Sequence, residues 1–155
     1  MQLSKPPMVK LYKIPFFAAV AFITGCAVPT NTGLFSTAPE KNYTSMYLRG
    51  VFNWWDATEA FKFKAIDKDT LIVDIELIAD GQPYDFKVAD DTWSPDFNCG
   101  LASQSMPMNL NNQVELYCFN DSLNLQFIPL ETAVYRFELD ISNNKYPELS
   151  VTVAN

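Results

Sequence analysis

The chain contains three tryptophans, and each stands among polar or small residues rather than inside an apolar run. Trp54 and Trp55 close the segment Tyr47-Leu48-Arg49-Gly50-Val51-Phe52-Asn53 and are followed by Asp56. Trp93 caps the acidic turn Asp90-Asp91-Thr92, which follows Tyr84-Asp85-Phe86-Lys87-Val88-Ala89. An indole offers a large flat apolar face and one N–H donor. Pyranose rings present apolar C–H faces inside a rim of hydroxyls, so proteins bind them by stacking flat aromatic rings and placing hydrogen-bond donors and acceptors at the edge. The competing reading of an isolated tryptophan is core or inter-sheet packing. Adjacency argues against it for this pair: neighbouring side chains of an extended chain point to opposite faces, so Trp54 and Trp55 cannot both enter one core unless the chain turns there.

Other chemistries find little support. With no histidine, an acid–base set would have to come from carboxylates such as Asp67, Asp69, Asp90, Asp91 and Asp96. Their spacing does not predict the paired geometry of glycoside hydrolysis, so they read as solvated acidic turns and the protein as a non-enzyme. The run Asp90–Asp96 lacks the spacing and glycine of an EF-hand loop, and the cysteines form no Cys-x-x-Cys pair, so neither metal nor cofactor is expected.

At 155 residues, the chain has room for one binding module and not for a catalytic barrel beside it. Its N-terminus carries Lys5, Lys10 and Lys13, an apolar run from Ile14 to Gly25, and small residues before Cys26. That run is shorter than the roughly 20 residues of a spanning helix. The pattern reads as a bacterial lipoprotein signal over residues 1–25, with Cys26 lipidated; an ordinary secretory signal is the plainer alternative. Acyl chains contribute about 0.8 kcal/mol per buried methylene, enough in a multiply acylated cysteine for stable anchoring. The resemblance to bacterial lipoprotein signals implies the outer membrane, since Ala27 stands where an aspartate would favour retention in the inner membrane.

Removing residues 1–25 takes away three lysines and no acid, leaving 8 basic against 18 acidic residues, a formal balance of −10. Nucleic acid is thereby excluded as an expected partner, since phosphate neutralisation needs clustered Lys and Arg. Export also bears on Cys99 and Cys118, an even pair in an oxidising compartment: a disulfide is expected, with two buried free thiols the alternative.

Residues 26–45, rich in Pro, Thr, Asn and Ser, read as a tether with a span of about 25 Å. From residue 46 to 155 the dominant period is two. Leu48, Gly50 and Phe52 share a face, as do Phe61, Phe63 and Ala65. Leu71, Val73, Ile75 and Leu77 lead through Asp80-Gly81 into Tyr84, Phe86 and Val88 as a predicted hairpin. Val114–Phe119, Leu123–Phe127, Tyr135–Ile141 and Leu149–Val153 follow, with Asn98–Gln113 expected as a loop. The class is all-β, a sandwich of about seven or eight strands.

In the two tryptophan segments, and in Tyr135–Ser142 with the closing Pro147–Val153, the chain resembles the immunoglobulin-like, early-set carbohydrate-binding modules of pullulanases. More distantly it resembles the glycogen-binding module of the AMP-activated kinase beta subunit. The resemblance implies an α-glucan ligand, with Trp55 and Trp93 stacking on glucose units, Lys87 bonding hydroxyls, and Asn53 supporting the turn or touching sugar. Trp54, at a position usually small or polar, becomes a third ring or a packing residue. Cys99 and the spacing of Lys87 from its tryptophan also depart from the pattern. The expectation is an outer-membrane lipoprotein presenting a non-catalytic glucan-binding sandwich; the alternative is an envelope scaffold of the same fold that docks a protein. Cys26→Ser is expected to abolish incorporation of a fatty-acid analogue and to release the protein from membranes, and an unlabelled wild type would end the lipoprotein reading.

Overall fold

The period-two segments become strands of two antiparallel five-stranded sheets in the computed structural model, which describes residues 41–104 and 106–154. The proposed signal peptide, Cys26 and the tether up to residue 40 lie outside the described residues. One sheet runs β1 (Tyr47–Gly50), β4 (Tyr84–Ala89), β5 (Asn98–Gly100), β7 (Tyr117–Cys118), with β8 (Leu125–Phe127) pairing the start of β4. The other runs β2 (Lys64–Ala65), β3 (Thr70–Leu77), β9 (Ala133–Asp140), β10 (Glu148–Val153), β6 (Gln113–Glu115). No α-helix occurs among the described residues. The all-β, immunoglobulin-like sandwich read from the sequence is the fold.

Alternation explains how the sheets meet. β3 and β9 pair over their full length, so Leu71, Val73 and Ile75 stand opposite Leu139, Phe137 and Tyr135 on one inward face. β10 adds Leu149 and Val151 to that face. The other sheet answers with Leu48, Phe86, Val88, Leu125 and Phe127, all buried. Phe86 meets Phe137 edge-on at 5.3 Å between ring centres, and Phe127 meets Tyr135 at 5.1 Å. Each such side chain taken fully out of water contributes about 1.5–3 kcal/mol.

Several local expectations are corrected. Asp80-Gly81 does form a turn, with Gly81 at φ 80°, but it is a corner between sheets and not a hairpin: β3 pairs β2 and β9, while β4 joins the opposite sheet. Period two marks a half-buried strand without saying which neighbour it takes. Val114–Phe119 is two strands in different sheets, β6 and β7, separated by buried Leu116, whose N–H bonds Pro147 O. The expected loop Asn98–Gln113 begins with β5, whose Gly100 packs so tightly that a Cβ there would lie 2.0 Å from Leu123 O. Residues 41–45, read as the end of the tether, pack on the sandwich. Tyr43 is buried, with its hydroxyl donating to Asn144 O at 2.8 Å, and Lys41 and Asn144 exchange two hydrogen bonds. Burial, helped by the charge of Asp96, pushes the Tyr43 phenol up to about 12.

Cys99 and Cys118 form a disulfide across 19 positions, directly opposite each other in the β5–β7 register and both buried. The free-thiol alternative falls. Replacing both cysteines with alanine is expected to lower unfolding stability by about 3 kcal/mol in the chain-entropy account, read as a shift of the denaturant midpoint.

Candidate functional site

The first tryptophan loop is built by a close approach and one side chain. β1 ends at Gly50, where a Cβ would lie 2.6 Å from Asp85 O and 2.8 Å from both the Phe52 ring and Phe86 Cβ. A single 3-10 turn, Val51–Asn53, follows. Buried Asn53 accepts from the Gly50 N–H at 2.9 Å and donates to Leu48 O at 3.0 Å and Asp56 O at 3.1 Å, which uses both amide hydrogens. Of the two roles open to Asn53, the structure shows turn support. The chain then reverses, the Trp55 N–H bonding Gly50 O, with Trp54 and Trp55 at φ 55° and 64°.

The second loop is held by a carboxylate. Asp90, at the end of β4, accepts from the Ser94 N–H at 2.8 Å and the Thr92 hydroxyl at 3.2 Å. Burial works against its charge, but the hydrogen bonds from Ser94 and Thr92 outweigh it and hold the carboxyl below its usual range. Trp93, inside this turn, has φ 58°. Left-handed backbone costs a residue with a Cβ roughly 1–2 kcal/mol, so all three tryptophans sit in conformations that their surroundings must enforce.

Arg49, one of two arginines in the chain, joins the loops. Buried on β1, it donates from Nε to Trp55 O at 2.7 Å and from Nη1 to Asp90 O at 2.7 Å and Asp91 O at 3.2 Å. Its guanidinium carbon lies 3.9 Å from the centre of the Trp93 ring. Burial pulls the group below its ordinary value while the charges of Asp56, Asp90 and Asp91 oppose the shift, and it stays a cation. On this base Trp55 and Trp93 meet, ring centres 6.3 Å apart and planes inclined at 42°, both half-buried. Trp54 is 88% exposed.

Lys87 is placed otherwise than expected. Its ammonium donates to Asn98 Oδ1 at 3.0 Å, to Ser122 Oγ at 2.9 Å and to Ser122 O, and three donors are all it has. Burial lowers its pKa, with the charge of Asp121 opposing. It clamps the 119–124 loop onto β4 and β5, and its donors are not available to a ligand. Arg49 and Lys87 are register partners on adjacent strands, and Arg49 is the one that serves the tryptophans. Sequence reading missed Arg49; the available signal was a lone cation within β1, four residues before Asn53, which leads into Trp54 and Trp55. Two carboxylates flank the site: Asp56 and Asp91 are exposed and near enough for Arg49 to feel their charge. Among the described residues no group of three or more acidic or cysteine side chains gathers as a metal site.

No protein-family profile matches the chain, and no curated protein matches it. Among solved structures, the ligand-induced structure of AmyP-SBD, a starch-binding domain, aligns with a TM-score of 0.55 at 14% identity, over 97% of this chain and 100% of that one. The likeness is one of fold.

Arg49→Met, which keeps much of the side-chain bulk but leaves three carbonyls unbonded, is expected to cost about 3 kcal/mol and to shift tryptophan emission to longer wavelength. Trp54→Gly, in contrast, is expected to leave stability unchanged or raise it by up to about 1 kcal/mol, because it relieves a left-handed residue that buries little. Urea unfolding of the two variants checks both.

Proposed function

We propose that this protein is a non-catalytic α-glucan-binding module, carried as a lipoprotein on the outer membrane through Cys26. The observation that carries the reading is the convergence of Trp55 and Trp93 into one partly exposed ring pair, held before any ligand arrives by Arg49, Asn53 and Asp90. It is supported by a fold shared with a starch-binding domain. It is supported also by the pullulanase-type pattern of the two tryptophan segments.

The rings take the apolar faces of two glucose units, Asp56 and Asp91 accept from hydroxyls, and Trp54 provides a third ring at the rim. Asn53 and Lys87 act from behind, as supports of the two loops. Stacking of this kind leaves much of a ligand in water, so affinity is expected between ~10 μM and ~1 mM. The alternative, an envelope scaffold that docks a protein, has one observation in its favour. Leu130, 90% exposed, and Met106 line an apolar cavity of about 440 Å³ together with Phe127 and Tyr135.

Electrophoresis through gels containing glycogen, amylopectin or pullulan separates the readings. The wild type should be retarded, and Trp55→Ala and Trp93→Ala should lose most of that retardation while remaining folded by circular dichroism. A folded wild type that runs unretarded in every glucan would hand the function to the scaffold reading.

A further inference from the structure

A second aromatic cleft lies beyond the short turn Pro95–Phe97 that follows Trp93. A cavity of about 470 Å³ is lined by Lys41, Tyr117, Phe119, Lys145 and Tyr146, beside the disulfide at Cys118. Tyr117 and Phe119, two residues apart and so on one face of the chain, bring their ring centres to 4.5 Å with planes inclined at only 31°. β7 is the edge strand of its sheet. Phe119 is 49% and Tyr146 39% exposed. The Lys145 ammonium stands 4.8 Å from the centre of the Tyr146 ring, and the Lys41 ammonium donates to Asp96 O at 3.0 Å with further donors to spare.

Isolated exposed aromatics need no explanation. Three rings around one opening, rimmed by two ammonium groups, form a stacking face with hydrogen-bond donors at its edge. We infer that this cleft is a second contact subsite for the glycan held by Trp55 and Trp93; the inference rests on the reading above. Continuity through the Pro95–Phe97 turn favours one ligand over two. Phe97 is four residues from Trp93, at most about 14 Å along the chain, and the Lys41 ammonium lies 6.0 Å from its ring centre. A polysaccharide chain crossing the turn reaches both subsites, whereas a trisaccharide occupies the tryptophan pair alone. The two are chemically complementary, with carboxylate acceptors beside the tryptophans and ammonium donors at the cleft.

The test compares maltotriose, by calorimetry, with amylopectin, by affinity electrophoresis, on the wild type, Phe119→Ala, Tyr146→Ala and Trp55→Ala. Linked contacts act together through effective concentration, so each cleft variant should bind amylopectin at least about tenfold more weakly with maltotriose binding unchanged. Trp55→Ala should lose both ligands. Two partly exposed sites are varied so that a folding defect in one leaves the other informative. Cleft variants that hold amylopectin like a binding wild type would overturn the second subsite and leave the tryptophan site standing. Equal loss of both ligands would overturn it too, since the cleft would then act through the tryptophans. A wild type that binds neither ligand overturns the subsite together with the proposed function.

Discussion

The tryptophan loops depend on a buried guanidinium. Arg49 reaches one carbonyl of the first loop and two of the second, and lies against the Trp93 ring. A buried cation is costly unless its donors are matched, so carbonyls that converge on it cannot drift apart without leaving it unpaired. That ties two loops some forty residues apart in sequence into one unit. Lysine could not do the same from this position: an ammonium is a compact point charge, whereas the planar fork of arginine bonds several acceptors in one plane and offers its flat face to an indole.

What this geometry enforces is strained backbone at the residues meant to be seen. Trp54, Trp55 and Trp93 all lie in the left-handed region, where glycine or asparagine would be easier. The strain is offset by neighbours that gain nothing from exposure. Asn53 spends its entire amide on three backbone groups, and Asp90 takes two donors of its own turn. Rings fixed in this way lose little freedom when a ligand lands on them, which is the main means by which a shallow surface gains affinity.

The sheets were legible because half-buried strands announce themselves by alternation. The inward set Leu71, Val73, Ile75, Tyr135, Phe137, Leu139, Leu149 and Val151 is the one the period-two reading picks out. Pairing was not legible: alternation is a property of one strand and does not name the sheet that it joins, as the corner at Gly81 and the split at Leu116 show. β5 was hidden because three residues, one of them glycine, are too few to show a period. At the site, Trp54 is exposed, but the adjacency argument assumed extended backbone, whereas Trp54 and Trp55 lie in a reversing turn with left-handed φ. Arg49 and Lys87 were the harder pair. Which of two cations on neighbouring strands faces the loops is decided by the Ser122 and Asn98 acceptors that capture Lys87, and those come from distant parts of the chain.

Committing both cations to the protein has a consequence for the glucan-binding reading. With all three Lys87 donors on Asn98 and Ser122 and Arg49 donating to three loop carbonyls, the other charged groups beside the tryptophans are carboxylates, Asp56 and Asp91. Carboxylates only accept. On the glucan-binding reading, a ligand stacked on Trp55 and Trp93 gains from bringing hydroxyl donors and from carrying no negative charge, because an anionic sugar would meet like charge in an already acidic domain. A neutral polyol satisfies both demands, since each of its hydroxyls donates. On the proposed glucan-binding reading, the carboxylates beside the rings favour an uncharged ligand, while Arg49 and Lys87 are committed to holding the loops.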